Sequence, residues 1–155
     1  MVIDDYSELS HTLTKNISKT EKKINGIFLT PRKTIYDNLK YLEPYIKNVE
    51  NVLEPSCGSC EYVLALNKYN KNFKKTGIEF NKTVFKSIKQ LENNNITLFN
   101  EDYLLYDTSM KYDLIIGNPP YFVMKKKHVD MSYYNYFNGR PNIFVLFIIK
   151  SLNST

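Results

Sequence analysis

The chain has 155 residues, 43% hydrophobic and 24% charged, with a net charge of +5 and 13 tyrosines against no tryptophan. That size and composition predict one folded domain, and no apolar run reaches the roughly 18–20 residues that span a bilayer. The early acids of MVIDDYSELSHTLTKN argue against a signal peptide, so a cytoplasmic, nucleocytoplasmic or viral-factory setting is expected rather than secretion.

Residues 1–25 are polar and Lys-rich without sustained periodicity, and are expected to form a mobile or partly helical arm ahead of a core over 26–155. In GIFLTPRKTIYDNLKYLEPYI, Gly26 opens a short apolar strand-like piece. Thr30 then reads as a helix N-cap with Pro31 at the first helical position. Ile35, Leu39 and Leu42 follow at helical spacing until Pro44. NVLEPSCGSCEYVLALNKY reads as a strand at Val52 and Leu53, a turn with Pro55 and Gly58, and a helix carrying Tyr62, Val63 and Leu66. FKKTGIEF is a second strand, NKTVFKSIKQLENN an amphipathic helix, NITLFNEDYL a third strand and YDLIIGNPPY a fourth. No regular element stands out from Val123 to Arg140. PNIFVLFIIKSL favours a buried helix over a strand. Strands alternating with helices predict a parallel α/β sheet.

Ligands of such sheets sit beyond the carboxyl ends of the strands, and every predicted strand ends in polar groups there: Glu54 to Gly58, Glu79, Asp102, and Asn118 to Tyr121. A glycine turn after the first strand suits close approach of backbone to a nucleotide, and amides at the start of the next helix would receive a carboxylate or phosphate. Glu79 stands 21 residues after Gly58, about where an acid accepts from ribose hydroxyls. The step Asn118-Pro119-Pro120-Tyr121 sets a side-chain carbonyl and a stiffly held backbone carbonyl beside a flat ring. Two fixed acceptors suit an exocyclic amino group, and the phenol face suits the ring that carries it.

NPPY at the end of a fourth strand resembles the signature of S-adenosylmethionine-dependent N6-adenine DNA methyltransferases. GIFLTP ahead of LEPSCGSC resembles the order of their gamma class, which includes type II and IIG restriction–modification enzymes. The likeness runs from about Asn16 to Leu152. It implies a Rossmann-like class I methyltransferase core with S-adenosylmethionine as cofactor and direct in-line transfer of its methyl group. Thr30 would then contact the methionine moiety, and Glu54, Ser56 and Gly58 would floor the pocket. Glu79 would hold the ribose, Phe80 or Ile78 would flank the cofactor's adenine, and Asp102, with Tyr103 beside it, would accept from its amino group. Asn118, Pro119, Pro120 and Tyr121 would hold the target adenine. Phe144 and Phe147 would pack near the cofactor or in the core.

The sequence departs from that pattern at Cys60, where the glycine motif usually ends in Gly, and in stopping one helix after NPPY. The family's parallel sheet continues with further strands. The expected sheet is therefore truncated, with an open edge that a partner chain or a second copy would cover, and with target-recognition elements lacking. Lys125, Lys126 and Lys127, together with Tyr133, Tyr134, Tyr136 and Phe137 in the same segment of residues 124–140, suit DNA phosphates and an extruded base. Release-factor glutamine and rRNA guanine methyltransferases also carry NPPY and are the alternative acceptor classes. A catalytically silent DNA- or partner-binding remnant is another. Cys57 and Cys60 could form a redox pair, whereas two Cys and two His give poor support for a four-ligand zinc site.

Overall fold

The computed structural model describes residues 5–67, 69–107 and 109–155. Four parallel strands form one sheet: β1 (Asn51–Glu54), β2 (Lys74–Ile78), β3 (Ile96–Phe99) and β4 (Leu114–Ile115), in the order β3-β2-β1-β4. Chain order reverses beside β1, which pairs Leu53 with Thr76 on one side and with Ile115 on the other. A crevice opens beyond the strand ends at such a reversal.

The predicted α/β order holds, with adjusted boundaries. The fourth strand shrinks to two residues and lies at one edge of the sheet. α3 spans Arg32–Leu42, ending two residues before Pro44, and buries Ile35 and Leu39. Pro31 is its N-cap residue and no side chain caps it, so Thr30 lies outside the helix and is not the predicted N-cap. α4 is Glu61–Leu66, and α5 is Lys82–Ile88, continued by a 3-10 turn over Lys89–Leu91. α6 is the predicted final helix, Ile143–Leu152, capped by the Asn142 side chain.

The N-terminal region folds onto the core. α1 (Glu8–Asn16) and α2 (Lys19–Asn25) are capped by the Ser7 and Ser18 side chains. Leu13 and Ile17 are buried and cluster with Val84 of α5. Each such side chain contributes about 1.5–3 kcal/mol when withdrawn from water. Residues 1–4 of the expected arm lie outside the described residues. Gly26 is not the start of a strand: it ends α2 in the left-handed conformation, and residues 27–30 cross the strand ends without ladder partners.

Three apolar clusters hold the layers. Ile35, Leu39 and Val52 pack with Tyr62 and Leu66 on one face of the sheet. Cys57, Cys60, Val63 and Ile88 pack with Ile96 and Leu98. Leu53, Ile78, Tyr103 and Phe147 gather under α6. No helix among the described residues is long and apolar enough to cross a membrane.

Candidate active site

A cleft of about 190 Å³ opens at the carboxyl ends of the strands. Every strand-end segment predicted from the sequence reaches it: Ser56 and Gly58 after β1, Glu79 and Phe80 after β2, Asp102 and Tyr103 after β3, and Asn118 and Pro120 after β4. Thr30 and Glu54 line a narrower recess beside it, which shares Ser56, Gly58 and Asn118. Pro119 and Tyr121 do not line the cleft. Tyr121 stands next to it, half exposed, with its ring 5.7 Å from that of Phe144.

β1 delivers Glu54 into the interior, where it is 3% exposed, and its Oε2 accepts from the Val63 N–H at 3.2 Å. Burial, only partly offset by the Val63 amide, pushes its carboxyl well above the ordinary 4.5. This corrects one expectation. The Val63 amide, in the first turn of α4, is taken by the protein's own Glu54 rather than left for a ligand. Gly58 is left-handed, and its N–H donates to Glu79 Oε2 at 2.9 Å.

Glu79 is the hinge of the site. Its Oε1 accepts from the Asn81 N–H at 2.7 Å, so one carboxylate joins the ends of β1 and β2. Burial raises its pKa while those two amides pull it down. Each oxygen retains a further lone pair that a hydroxyl could use. Phe80 is 67% exposed at the rim. Asp102 Oδ1 accepts from the Leu104 N–H at 2.9 Å. Tyr103 is buried, with its hydroxyl 3.1 Å from Ser151 and its ring 5.0 Å from that of Phe147, so it forms a wall. Phe147 both lines the cleft and belongs to the core. Lys150 of α6 donates to the carbonyls of Leu104 and Tyr106, at 3.0 and 2.6 Å, and holds that wall in place.

Ser56 Oγ donates to the backbone carbonyl of Asn118 at 3.0 Å, tying the glycine turn to NPPY. Beyond NPPY the chain leaves and returns through a pinned neck. Met124 N–H donates to Pro141, and Ile143 N–H to Phe122, both at 2.9 Å. The segment between them, predicted without regular structure, forms 3-10 turns at Lys126–His128 and Met131–Tyr136. Lys126 Nζ sits over the Tyr134 ring, 4.6 Å from its centroid.

Cys57 and Cys60 are buried free thiols with their sulfurs 3.2 Å apart. The contact with Cys60, burial and nearby carboxylates push the Cys57 thiol well up. The same contact pulls Cys60 down, but burial and carboxylates outweigh it. Raised, buried thiols are inert, which removes the support for a redox pair.

Several residues of the site were not singled out in the sequence. Asn81 lines the cleft, supplies the amide that holds Glu79, and caps α5 through Thr83 and Val84. Its position before an amphipathic run is an N-cap signal. Phe28 and Phe122 add apolar wall, and Glu101 adds a third acid. Among the described residues, the cleft's ionisable lining side chains, tyrosine aside, are thus Glu79, Glu101 and Asp102. Acids around an apolar crevice fit a cationic sulfonium with a ribose and a purine, so the residues present suit S-adenosylmethionine.

Comparisons with known proteins agree. The chain is 34% identical over 120 residues to type II methyltransferase M.CvrRI of Paramecium bursaria Chlorella virus XZ-6E, covering 76% of this chain and 30% of that protein. It is 29% identical over 155 residues to modification methylase CviBIII of Paramecium bursaria Chlorella virus NC1A, covering 98% of this chain and 40% of the relative. Type II methyltransferase M.AccI of Acinetobacter calcoaceticus is 30% identical over 158 residues, covering 95% of this chain and 29% of the relative. The chain thus spans 29% to 40% of the length of these relatives. Among solved structures, a Listeria monocytogenes protein assigned to the class I S-adenosylmethionine-dependent methyltransferases superposes with a TM-score of 0.69 at 17% identity, over 95% of this chain and 47% of that one. The fold is that of the class I methyltransferases, whose cofactor is S-adenosylmethionine. The profile of the Eco57I restriction-modification methylases matches residues 7–155, and with strand order, cleft and NPPY step in accord, the chain belongs to that family.

Proposed function

We propose that this chain carries the cofactor and acceptor half of an enzyme that methylates the N6 amino group of adenine in DNA. The observation that carries the reading is that Asn118 and Glu79, from opposite sides of the sheet's reversal, line one cleft. S-adenosylmethionine bound there would supply an electrophilic methyl group. Glu79 and Asp102 supply hydrogen-bond acceptors on one side of the cleft, and Phe80 a flat apolar rim. Asn118 and the Pro119 carbonyl would accept from the two protons of an amino group. With both protons engaged, the nitrogen lone pair points in one direction, toward the cleft. The Tyr121 and Phe144 rings offer a stacking surface for an extruded base. Much of the acceleration then comes from holding the nucleophile in near-attack contact.

DNA is the proposed polyanionic partner, met by residues 124–140, where Lys125, Lys127 and Arg140 are exposed. The free edge of β4 is proposed to take a further strand, from another stretch of polypeptide or a second copy.

The test is transfer of a radiolabelled methyl group to adenine-containing DNA. A duplex whose adenines already carry N6-methyl groups, an rRNA fragment and a release-factor protein serve as comparison acceptors. Label confined to unblocked adenines supports the reading. Label on guanine or on glutamine would replace it with one of the other NPPY acceptor classes.

A further inference from the structure

The segment from Ser7 to Gly26, polar and without evident periodicity in sequence, touches three of the four strand-end loops that build the cleft. The Ser10 hydroxyl of α1 is fully buried and lies 2.8 Å from both the Ser59 hydroxyl, in the turn after β1, and Oε1 of Glu61, the first residue of α4. Glu21 of α2 accepts from the Asn81 side-chain amide at 2.8 Å, and the backbone N–H of Asn81 holds Glu79. Gly26 closes α2 against the backbone of NPPY: a Cβ there would lie 2.9 Å from the Tyr121 nitrogen and 3.3 Å from Pro120 Cβ. Gly26 also lines the cleft.

These contacts are unusual for a solvated arm. Burying a serine hydroxyl and a carboxylate is unfavourable unless each is paired, and here each completes the other. Glu61, 6% exposed, also has the Arg32 guanidinium at 3.6 Å, so its charge is answered from α3 while its direction is set from α1. The three contacts fall on the loops after β1, β2 and β4, which carry Gly58, Glu79 and Asn118. Nothing in α1 or α2 needs to touch a ligand to matter, since moving any one loop opens the cleft.

We infer that residues 7–26 are a positioning clamp for the cofactor cleft, with Ser10, Glu21 and Gly26 as its three points of contact. The clamp acts by fixing the distance between the glycine turn, the Glu79 turn and NPPY before any ligand arrives. The inference rests on the cofactor of the fold and not on adenine as the acceptor.

Two readouts test it. The first is calorimetric affinity for S-adenosylhomocysteine. The second is amide hydrogen exchange of the ligand-free protein, which needs no activity. Ser10→Ala should weaken binding at least fivefold and speed exchange over residues 57–63. Glu21→Ala, which removes the acceptor for the Asn81 amide, should leave the fold intact, weaken binding two- to fivefold and speed exchange over 79–82. Gly26→Ala should speed exchange at Tyr121 and Phe122, the first amides after the two prolines. Thr12→Ala, on the exposed face of α1, should change neither readout. Gly139→Ala places a side chain at another left-handed position, where nothing lies within 4 Å, and should lower stability without altering exchange at Tyr121 and Phe122. Glu21→Ala and Ser10→Ala proteins that are less stable yet bind and exchange as the parent does would overturn the clamp and leave a merely structural role. If Ser10→Ala does not fold, Glu21→Ala decides. A parent chain that binds no S-adenosylhomocysteine would overturn the cofactor reading, and the exchange arm would still decide the clamp.

Discussion

Ser56 reaches across the sheet's reversal to Asn118, its hydroxyl donating to the Asn118 backbone carbonyl at 3.0 Å. The glycine turn and NPPY are thereby one unit, although 62 residues separate them. Removing the hydroxyl frees the peptide that positions the Asn118 side chain. Ser56→Ala should cost about 0.5–1.5 kcal/mol of stability by denaturant unfolding. Methyl transfer should fall by more than cofactor affinity does, since the group that moves belongs to the acceptor side.

The Asn118 side chain itself gives a sharper split. Asn118→Ala removes an acceptor from the proposed amino-group site while leaving Glu79 and Asp102 in place. Turnover is expected to drop by about 100-fold, the scale of a misplaced reactant, with cofactor affinity by calorimetry little changed. An alanine variant that methylates DNA as fast as the parent would falsify the assigned role.

Glu54 and Glu79 make stability depend on pH in an unusual direction. Burial raises both carboxyls above 4.5, so the folded chain binds protons that the unfolded chain has released. Stability is therefore lost as pH rises from about 4.5 through the raised values. Across the window above about pH 4.5 the unfolding midpoint should fall as pH rises, and the slope should be shallower in Glu54→Gln, which keeps an oxygen for the Val63 amide. Asp113 and Asp130 are shifted down by their backbone and side-chain partners, and their stabilisation is lost only on acidification below that window.

Cys60 is the one non-glycine residue with positive φ among the described residues, at 59°, and it is fully buried. A left-handed conformation costs an L side chain about 1 kcal/mol or more. Cys60→Gly relieves that cost, whereas Cys60→Ala keeps it and still loses the sulfur's contacts. The glycine variant should therefore be the more stable of the two by about 1 kcal/mol, the reverse of the usual order in helices. In the parent protein both thiols should resist Ellman's reagent at pH 8 until the chain is unfolded.

Lys125 and Lys127 extend from the pinned segment after NPPY, whereas Lys126 lies over Tyr134. If the segment meets DNA phosphates, replacing Lys125 and Lys127 with Ala should weaken binding uniformly across sequences. The slope of log affinity against log salt should fall by about 2. Lys126→Ala should act mainly on the local fold, visible as faster exchange around Tyr134. Equal salt slopes for the parent and the double variant would remove this segment from the interface.

The sequence settled the parallel α/β class, the order of β1 to β4 with α3 to α6 around them, and the four strand ends that meet in the cleft, but not α1, α2 or the course of residues 27–30. Periodicity and punctuation are local properties, and a strand that must be buried announces itself in Val52-Leu53 or Leu114-Ile115 whatever lies elsewhere. NPPY and the glycine turn were legible for the same reason, because each is a short contiguous run. Tertiary structure alone decided how the polar side chains are shared. Glu54 is spent on an α4 amide, Glu79 bridges two loops, and Ser10 meets Glu61 across 51 residues of chain. The region before Gly26 looked featureless because its helices are short and mostly polar outside, with only Ser10, Leu13 and Ile17 buried among residues 7–17. Such a segment takes its place from partners distant in sequence, and partner choice depends on which buried donors and acceptors would otherwise go unpaired, a quantity that exists only once the chain has closed on itself.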